Sequence, residues 1–315
     1  MQKLSIFLKK YSFLLGLILF VVILSRTNVR EIFQNIKNIN PFYLIAASLI
    51  TFPALLNKDL CWYYIKRQQG IKYSLKDSFL MYCSGLYIGI LTPGRMGEIA
   101  KALYLKKDGH SMGKSLVGVI LDRLSDFAFL LVFIFLGSLF LLGVFQKQIL
   151  IFVSGIIIAT FLLVVFLKVG LIKWFLNKIF RIFVPEGYQK SWKINFQDFI
   201  NDLKIYKLKH YIVIFSITIF SWVFYYLQMY ILAKGVGLNI PFLYFAISVT
   251  IAGFITLIPI SVSGIGTRDA ALILLFTPFL IPKEQIIVFS ALILLMSLFT
   301  AFVGLICWLI KPIRV

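Results

Sequence analysis

The sequence predicts an all-α integral membrane protein with about six full transmembrane helices and two re-entrant broken hairpins. Of its 315 residues, 61% are hydrophobic, and these residues are concentrated in long blocks. A block of about 20 apolar residues crosses the bilayer core as a helix, because lipid offers the backbone no hydrogen-bond partner. Two blocks are interrupted by proline, glycine and charge, which predicts the broken hairpins.

Apolar blocks divide the chain into a series of membrane elements. We predict them at residues 8–25, 42–65, 77–107, 114–145, 148–167, 211–233, 242–281 and 285–310. The first four read as helix, helix, broken hairpin and helix, and the last four repeat this order from the opposite side of the membrane. The pattern predicts a single polytopic domain built as an inverted repeat, with halves at about 1–147 and 148–315.

The net charge of the chain is +20, which in a soluble protein would indicate nucleic-acid binding. Most Lys and Arg residues lie in short segments between apolar blocks, so we exclude nucleic acid as a partner and expect anionic lipid headgroups instead. With the basic segments on the inside, both termini are cytoplasmic, in a multi-pass protein of the cytoplasmic membrane. This topology requires the two hairpins to turn back, and it makes residues 168–209 a cytoplasmic amphipathic interfacial segment.

Both interrupted elements combine proline, glycine and opposite charges within a few residues. The first break contains Pro93, Gly94, Arg95, Gly97 and Glu98, and the second contains Pro259, Gly264, Gly266, Arg268 and Asp269. Proline interrupts helical hydrogen bonding and glycine permits unusual turns, so we predict hinges at these Pro and Gly residues. Helix N-termini that follow the breaks, beside Arg95 and Arg268, would suit an anionic phosphate. The alternative is a kinked helix that simply packs.

Charged residues at membrane depth are costly, and they usually pair, face a cavity and mark a pathway. We predict that substrate is bound by Arg95, Glu98, Asp122, Arg123, Asp126, Arg268 and Asp269. On a helix, Asp122, Arg123 and Asp126 share one face. The acids could shape the site, repel an anion, bind a cationic headgroup or carry protons. In the alternative interpretation these groups, like the adjacent Lys58 and Asp59, only hold helices together.

Patterns typical of catalysis are absent from the sequence. Two histidines, His110 and His210, both flank loops, which excludes a histidine-rich metal site. The chain has no Walker A glycine loop for ATP, and its cysteines are widely spaced. We therefore predict no catalytic residue, no metal and no cofactor.

The motifs around the breaks resemble those of a known family. Leu91-Thr-Pro-Gly-Arg-Met-Gly-Glu-Ile-Ala-Lys-Ala, followed by Leu121-Asp-Arg-Leu-Ser-Asp, resembles the lysylphosphatidylglycerol synthase transmembrane family, also called flippase-like domain proteins. The resemblance covers nearly the whole chain. Matching positions are Pro93, Gly97, Glu98, Asp122, Arg123, Asp126, Pro259, Gly264, Gly266 and Asp269. The sequence departs from the family pattern at Asp122 and Asp269, where Glu is common.

This resemblance implies a lipid translocation module. In the best-known members the module moves aminoacylated phosphatidylglycerol between leaflets and is fused to a soluble synthase domain. The present sequence shows no such domain, so we expect no aminoacyl transfer. Some relatives accompany glycosyltransferases that use polyprenyl-phosphate sugars, which implies that class of lipid as another possible substrate.

Three functions are therefore compatible with the sequence. The first is a transporter, or flippase, that moves a phosphate-containing lipid between leaflets by alternating access. The second is a membrane-embedded transferase acting on a lipid phosphate, against which the lack of a clear nucleophile counts. The third is a membrane partner of a lipid-modifying enzyme or glycosyltransferase. The sequence favours the first, because the second lacks a clear nucleophile and donor-nucleotide site, and the third leaves the intramembrane charges unexplained.

Overall fold

The computed structural model describes residues 20–25, 27–90, 92, 97–140, 189–256 and 264–313. Every regular element in these ranges is a helix, and none of these residues lies in a β-strand. Residues 20–25 are helical. The further α-helices are α1 (Val29–Lys37), α2 (Pro41–Gln68), α3 (Leu75–Ile90), α4 (Ala100–Lys107), α5 (Met112–Phe140), α6 (Gln189–Leu203), α7 (Leu208–Gly235), α8 (Phe242–Thr256), α9 (Thr267–Phe276) and α10 (Lys283–Ile310).

Three of these helices are apolar and long enough to cross a membrane. They are α2, α7 and α10, each of 28 residues. A helix of that length extends about 42 Å, which exceeds the ~30 Å hydrocarbon core of a bilayer. Their positions agree with the spans predicted at 42–65, 211–233 and 285–310. The span predicted at 148–167 lies outside the described residues.

Each interrupted element forms two helices separated by a break. The third element gives α3 and α4, and the seventh gives α8 and α9. The helices end beside the predicted breaks, as expected where proline interrupts the backbone hydrogen-bond ladder. Residues 93–96 and 257–263, with Pro93, Gly94, Arg95 and Pro259, lie outside the described residues. The re-entrant course of the two elements stays a prediction.

Helix α1 was not predicted. Its first turn is capped by Asn28, whose side chain accepts a hydrogen bond from the Arg30 backbone N–H. The exposed side chains of Val29, Phe33 and Ile36 recur at helical spacing, so the helix is amphipathic. At nine residues it is too short and too polar to stand out as an apolar block.

The helices form two compact units. The first comprises Met1–Asp59, Lys76–Ala100 and Ile219–Pro312, and the second comprises Leu60–Leu75, Lys101–Thr218 and Ile313–Val315.

In the first unit, α3 packs closely on α10. Gly304 of α10 lies so near Cys83 of α3 that an added Cβ would be 2.5 Å from the Cys83 carbonyl oxygen. At one end of this contact Lys311 forms an ion pair with Asp77. A glycine is needed at 304 because any side chain there would push the two backbones apart.

In the second unit, a core of buried side chains joins α2, α5 and α7. Its members are Cys61, Ile65, Val117, Leu121, Tyr206 and Ile214. Tyr206, between α6 and α7, donates its hydroxyl proton to the Ile65 carbonyl oxygen at 2.8 Å. Burial, reinforced by the charge of Asp202, raises the pKa of this phenol, so it stays a protonated donor at neutral pH.

Helix α6 is the described part of the predicted interfacial segment 168–209. It packs against α5, and its Ile200 is buried. Asp202 near its end accepts a 2.7 Å hydrogen bond from the Gln69 amide. This part of the segment is therefore fixed to the helices of the second unit by apolar and polar contacts.

Candidate functional site

The most deeply buried charges of the second unit meet between α4 and α5. Lys101, in the first turn of α4, donates from Nζ to Asp122 Oδ2 of α5 at 2.5 Å. The two side chains are 1% and 0% exposed. A lysine and an aspartate that are so completely removed from water stay charged only as a pair, because the desolvation of each charge alone costs roughly several kcal/mol.

Arg123 lies beside this pair and is more accessible. Its Nη2 atom is 3.4 Å from Asp126 Oδ2 and 3.7 Å from Asp122 Oδ2. The Arg123 side chain is 32% exposed. Asp122 Oδ2 is thus approached by two cations, the ammonium of Lys101 and the guanidinium of Arg123, which come from different helices.

Trp62 and Lys66 of α2 complete this group of side chains. Lys66 Nζ lies 3.3 Å from the centroid of the Trp62 ring, and Lys101 Nζ lies 5.7 Å from it. An indole face attracts cations through its quadrupole. Gly118 of α5 makes room for the ring, since an added Cβ would be 3.1 Å from Trp62 Nε1.

We refer to these residues together as the α4–α5 cluster. The cluster consists of Trp62, Lys66, Lys101, Asp122, Arg123 and Asp126.

Glu98, a predicted site residue in the first unit, is buried against α3. Its side chain contacts Gly89, and Gly97 contacts the Ile88 carbonyl group, so the chain after the break lies on the last turns of α3. The Gly97 backbone N–H donates to Thr92 Oγ1 at 2.7 Å. Both glycines are required for this close approach, since an added Cβ at either one would overlap these atoms.

The second break has a different construction. Gly264 and Gly266 have φ of +80° and +82°, a left-handed conformation that favours glycine. The Gly266 backbone N–H donates to Asp269 Oδ2 at 2.7 Å, so this acid caps the start of α9. Arg268 is 6% exposed and donates to Ser290 of α10, from Nε to Oγ at 2.8 Å and from Nη2 to the carbonyl oxygen at 2.9 Å.

The predicted site residues therefore fall into local groups. Asp122, Arg123 and Asp126 share one face of α5, as their spacing predicts. Asp59, which the sequence grouped with Lys58, accepts a 2.6 Å hydrogen bond from the Ser78 hydroxyl. In the part of the chain that the structure describes, no group of three or more His, Cys, Asp or Glu side chains could hold a metal ion.

Sequence reasoning missed Lys101, Lys66, Trp62 and Ser290. It counted Lys101 and Lys66 among the basic residues of the cytoplasmic side, because other basic residues follow them closely in the chain. A signal for Lys101 was present, since it is flanked by Ala100, Ala102 and Leu103 rather than by polar residues. The contact of Lys66 with Trp62 fits helical spacing, whereas nothing local indicates the contact of Lys101 with the same ring.

Apolar helices long enough to span a bilayer, together with charged side chains buried among them, define an integral membrane protein. The chain belongs to the family described as the lysylphosphatidylglycerol synthase TM region, whose model matches residues 10–304. It is 24% identical over 306 residues to the UPF0104 membrane protein MJ1595 of Methanocaldococcus jannaschii, covering 90% of this chain and 89% of the relative. A UPF0104 membrane protein of Methanothermobacter thermautotrophicus is 23% identical over 265 residues, 78% of each chain.

Proposed function

We propose that this chain is a flippase, a transporter that moves a phosphate-containing lipid between the leaflets of the cytoplasmic membrane. The observation that carries the proposal is the α4–α5 cluster, in which the buried Lys101–Asp122 pair lies beside the partly exposed Arg123. The substrate is a phospholipid or a polyprenyl-phosphate-linked lipid. The family name supports a role connected with lipids.

The energetic cost of the cluster supports a functional role. A charge at the bilayer centre costs about 3 kcal/mol on insertion scales. An apolar pair of similar volume would often give equal or greater stability than a buried ion pair. Stabilisation of the fold therefore explains the cluster poorly. Binding of a lipid phosphate by an accessible cation explains it better, because Arg binds phosphate through a planar fork of donors.

The two breaks supply the movement that transport requires. In transporters with inverted repeats, discontinuous helices form the substrate site and rock between two arrangements. Here Gly97, Gly264 and Gly266 are the described hinge residues, and their close contacts or left-handed backbone support that role. We propose that the interrupted elements are re-entrant hairpins and that both termini are cytoplasmic.

The proposed roles of the charged residues follow from their surroundings. Arg123 contacts the lipid phosphate, and Asp126 orients Arg123 across 3.4 Å. Glu98 packs on α3 next to the first break, so its contacts change when the conformation of that break changes. Arg268 and Asp269 fix the start of α9.

Reconstitution into vesicles tests the proposal. Purified protein is placed in liposomes with fluorescent phospholipid or polyprenyl-phosphate probes, and dithionite reduces the probes that reach the outer leaflet. We expect faster loss of fluorescence for one phosphate-containing probe than in protein-free vesicles. Glu98→Gln should abolish this acceleration, whereas Asp198→Asn, a change of the same kind on α6, should preserve it. Rates equal to those of protein-free vesicles for every probe would contradict the proposal.

A further inference from the structure

We propose that the α4–α5 cluster is an anion site whose resting occupant is the carboxylate of Asp122, and that a lipid phosphate displaces this carboxylate from Lys101. The inference rests on the proposed function and deepens it. It assigns an anionic substrate, which is recognised through its phosphate. It also makes the Lys101–Asp122 contact a gate, because this contact must open before the phosphate can bind Lys101.

Two cations converge on one carboxylate oxygen of the cluster. Asp122 Oδ2 accepts from Lys101 Nζ at 2.5 Å and lies 3.7 Å from Arg123 Nη2. Two cations from different helices aimed at a single anionic oxygen form the arrangement that a phosphate oxygen requires. The carboxylate is therefore positioned where a ligand oxygen would lie.

The two cations differ in their exposure. Lys101 is 1% exposed, whereas Arg123 is 32% exposed. A stripe of exposed apolar side chains at helical spacing begins next to Arg123 on α5, as expected of a surface in contact with lipid: Leu124, Val132 and Leu136. A headgroup that approaches from the bilayer thus reaches Arg123 first, and Lys101 only after Asp122 has moved.

Other charged groups of the cluster stay in place when Asp122 moves away. Asp126 lies 3.4 Å from Arg123 and keeps it in place. Lys66, whose ammonium is 3.3 Å from the Trp62 ring centroid, adds a second buried cation next to Lys101. Within the cluster the cations Lys66, Lys101 and Arg123 outnumber the carboxylates, so a phosphate that replaces Asp122 enters a positive field.

An internal competitor also explains how the substrate leaves. A buried site with several cations would bind phosphate tightly and release it slowly. A tethered carboxylate has a high effective concentration, so it returns to Lys101 and expels the phosphate. The resting contact also prevents the cost of an uncompensated buried lysine between transport cycles.

Trp62 provides a local reporter of the site, because its ring contacts both buried lysines. A single-tryptophan protein retains Trp62 and carries phenylalanine in place of the other four, Trp174, Trp192, Trp222 and Trp308. This full-length protein in detergent is titrated with dioctanoyl phosphatidic acid, which presents phosphate on a short lipid. Dioctanoylglycerol, which lacks the phosphate, is the matched lipid control. Inorganic phosphate tests whether the lipid part is needed.

We expect saturable quenching or enhancement of Trp62 fluorescence by dioctanoyl phosphatidic acid, with none from dioctanoylglycerol. Asp122→Asn removes the competitor, so the dissociation constant should fall by about tenfold, which corresponds to roughly 1.4 kcal/mol. Lys101→Gln should raise it by about tenfold or more, since a charged hydrogen bond to phosphate is lost. Lys107→Gln, an exposed lysine on the same helix, should change it by less than about twofold.

The double variant Lys101→Gln with Asp122→Asn guards against misfolding, because it removes both charges of the buried pair together. In this background the gain from Asp122→Asn should disappear, since there is no lysine left to release. If Asp122→Asn also tightens binding in the Lys101→Gln background, Asp122 does not act by occupying Lys101, and the proposed gate is wrong. Weaker or unchanged binding in Asp122→Asn would overturn it as well.

Two further outcomes separate this inference from the proposed function. Inorganic phosphate that binds as tightly as dioctanoyl phosphatidic acid would show a site for free anions and overturn the assignment to lipid. The protein could instead bind the lipid with the expected dependence on Lys101 and Asp122 and yet move no probe in vesicles. That result would support the anion site and contradict only the proposed transport function.

Discussion

Two arginines of this chain have an aspartate as their neighbour in sequence, and the structure places them in opposite surroundings. Arg268 is 6% exposed and donates twice to Ser290 of α10, while Asp269 caps the backbone of Gly266. Arg123 is 32% exposed and shares Asp122 with Lys101. In the first pair the polar groups bind fixed neighbours in the scaffold. Around the second pair, Lys101 and Arg123 share the Asp122 carboxylate, which we propose a lipid phosphate can displace.

This difference separates two roles that sequence reasoning had merged. We expected both arginines to hold phosphate. The hydrogen bonds of Arg268 instead tie α9 to α10, which favours a positioning role. Arg123 retains the exposure that a ligand contact needs. We therefore expect stability and transport to respond in opposite ways to substitution of the two residues.

The largest effect on stability should come from Lys101→Met. Removing the lysine takes away the nearer of the two cations at the fully buried Asp122 and leaves Arg123 at 3.7 Å. Breaking a buried ion pair in this way typically costs about 3–5 kcal/mol. Thermal unfolding of the purified protein in detergent measures the loss. Adding Asp122→Asn should restore most of the stability, because the buried carboxylate that lost its lysine is then removed as well. Similar melting temperatures for Lys101→Met and the natural protein would show that the pair is not buried as described.

Arg268→Gln should destabilise the protein somewhat less, by about 2–3 kcal/mol, as is usual when a buried charged hydrogen-bond network is broken. The same thermal measurement on Arg123→Gln should show a loss of no more than about 1 kcal/mol, because this side chain is partly exposed. Equal losses for the two variants would remove the distinction between a scaffold arginine and a ligand arginine.

Gly264→Ala tests the backbone of the second break. The residue has φ of +80°, and an added Cβ would be 2.5 Å from Thr256 Cγ2. Left-handed backbone at a non-glycine residue costs about 1–2 kcal/mol, and relief of the overlap requires Thr256 to move. Gly237→Ala, at φ +82° with open space around it, is the matched control and should lose only the backbone contribution. A smaller loss at 264 than at 237 would contradict the tight packing of this break.

Ser290→Ala should give the smallest change, about 1 kcal/mol, which is the net value of one hydrogen bond. The variant removes the acceptor of Arg268 Nε but leaves the carbonyl oxygen that accepts from Nη2. Ser297→Ala on the same helix, whose hydroxyl bonds only to its own helix at Ile293, is the control. Identical unfolding of both variants would indicate that the Arg268–Ser290 contact contributes little.

The helical class and the two breaks could be predicted because their signals are local. Long apolar blocks and Pro–Gly interruptions determine the structure of the residues that compose them and of their close neighbours in sequence. The helices α2, α7, α8, α9 and α10 lie where these features predict them. Helix α1 could not be found in this way, because its stability comes from a cap and an amphipathic face rather than from an apolar block.

The α4–α5 cluster was predictable only in part. Asp122, Arg123 and Asp126 share a face through helical spacing, which a sequence displays directly. Lys101 reaches Asp122 only because α4 packs beside α5, and Trp62 reaches Lys101 only through the position of α2. Such contacts depend on tertiary packing, which no short motif specifies.

The most direct test of the proposed phosphate site compares Arg123→Gln, Arg268→Gln and Lys107→Gln in vesicles, with the rate of probe movement corrected for the amount of folded, inserted protein. We expect Arg123→Gln to fall to the rate of protein-free vesicles, while Lys107→Gln keeps the full rate. We expect the Arg268→Gln protein that folds to retain transport. Full transport by Arg123→Gln, at normal insertion, would contradict the claim that this cluster binds the lipid phosphate.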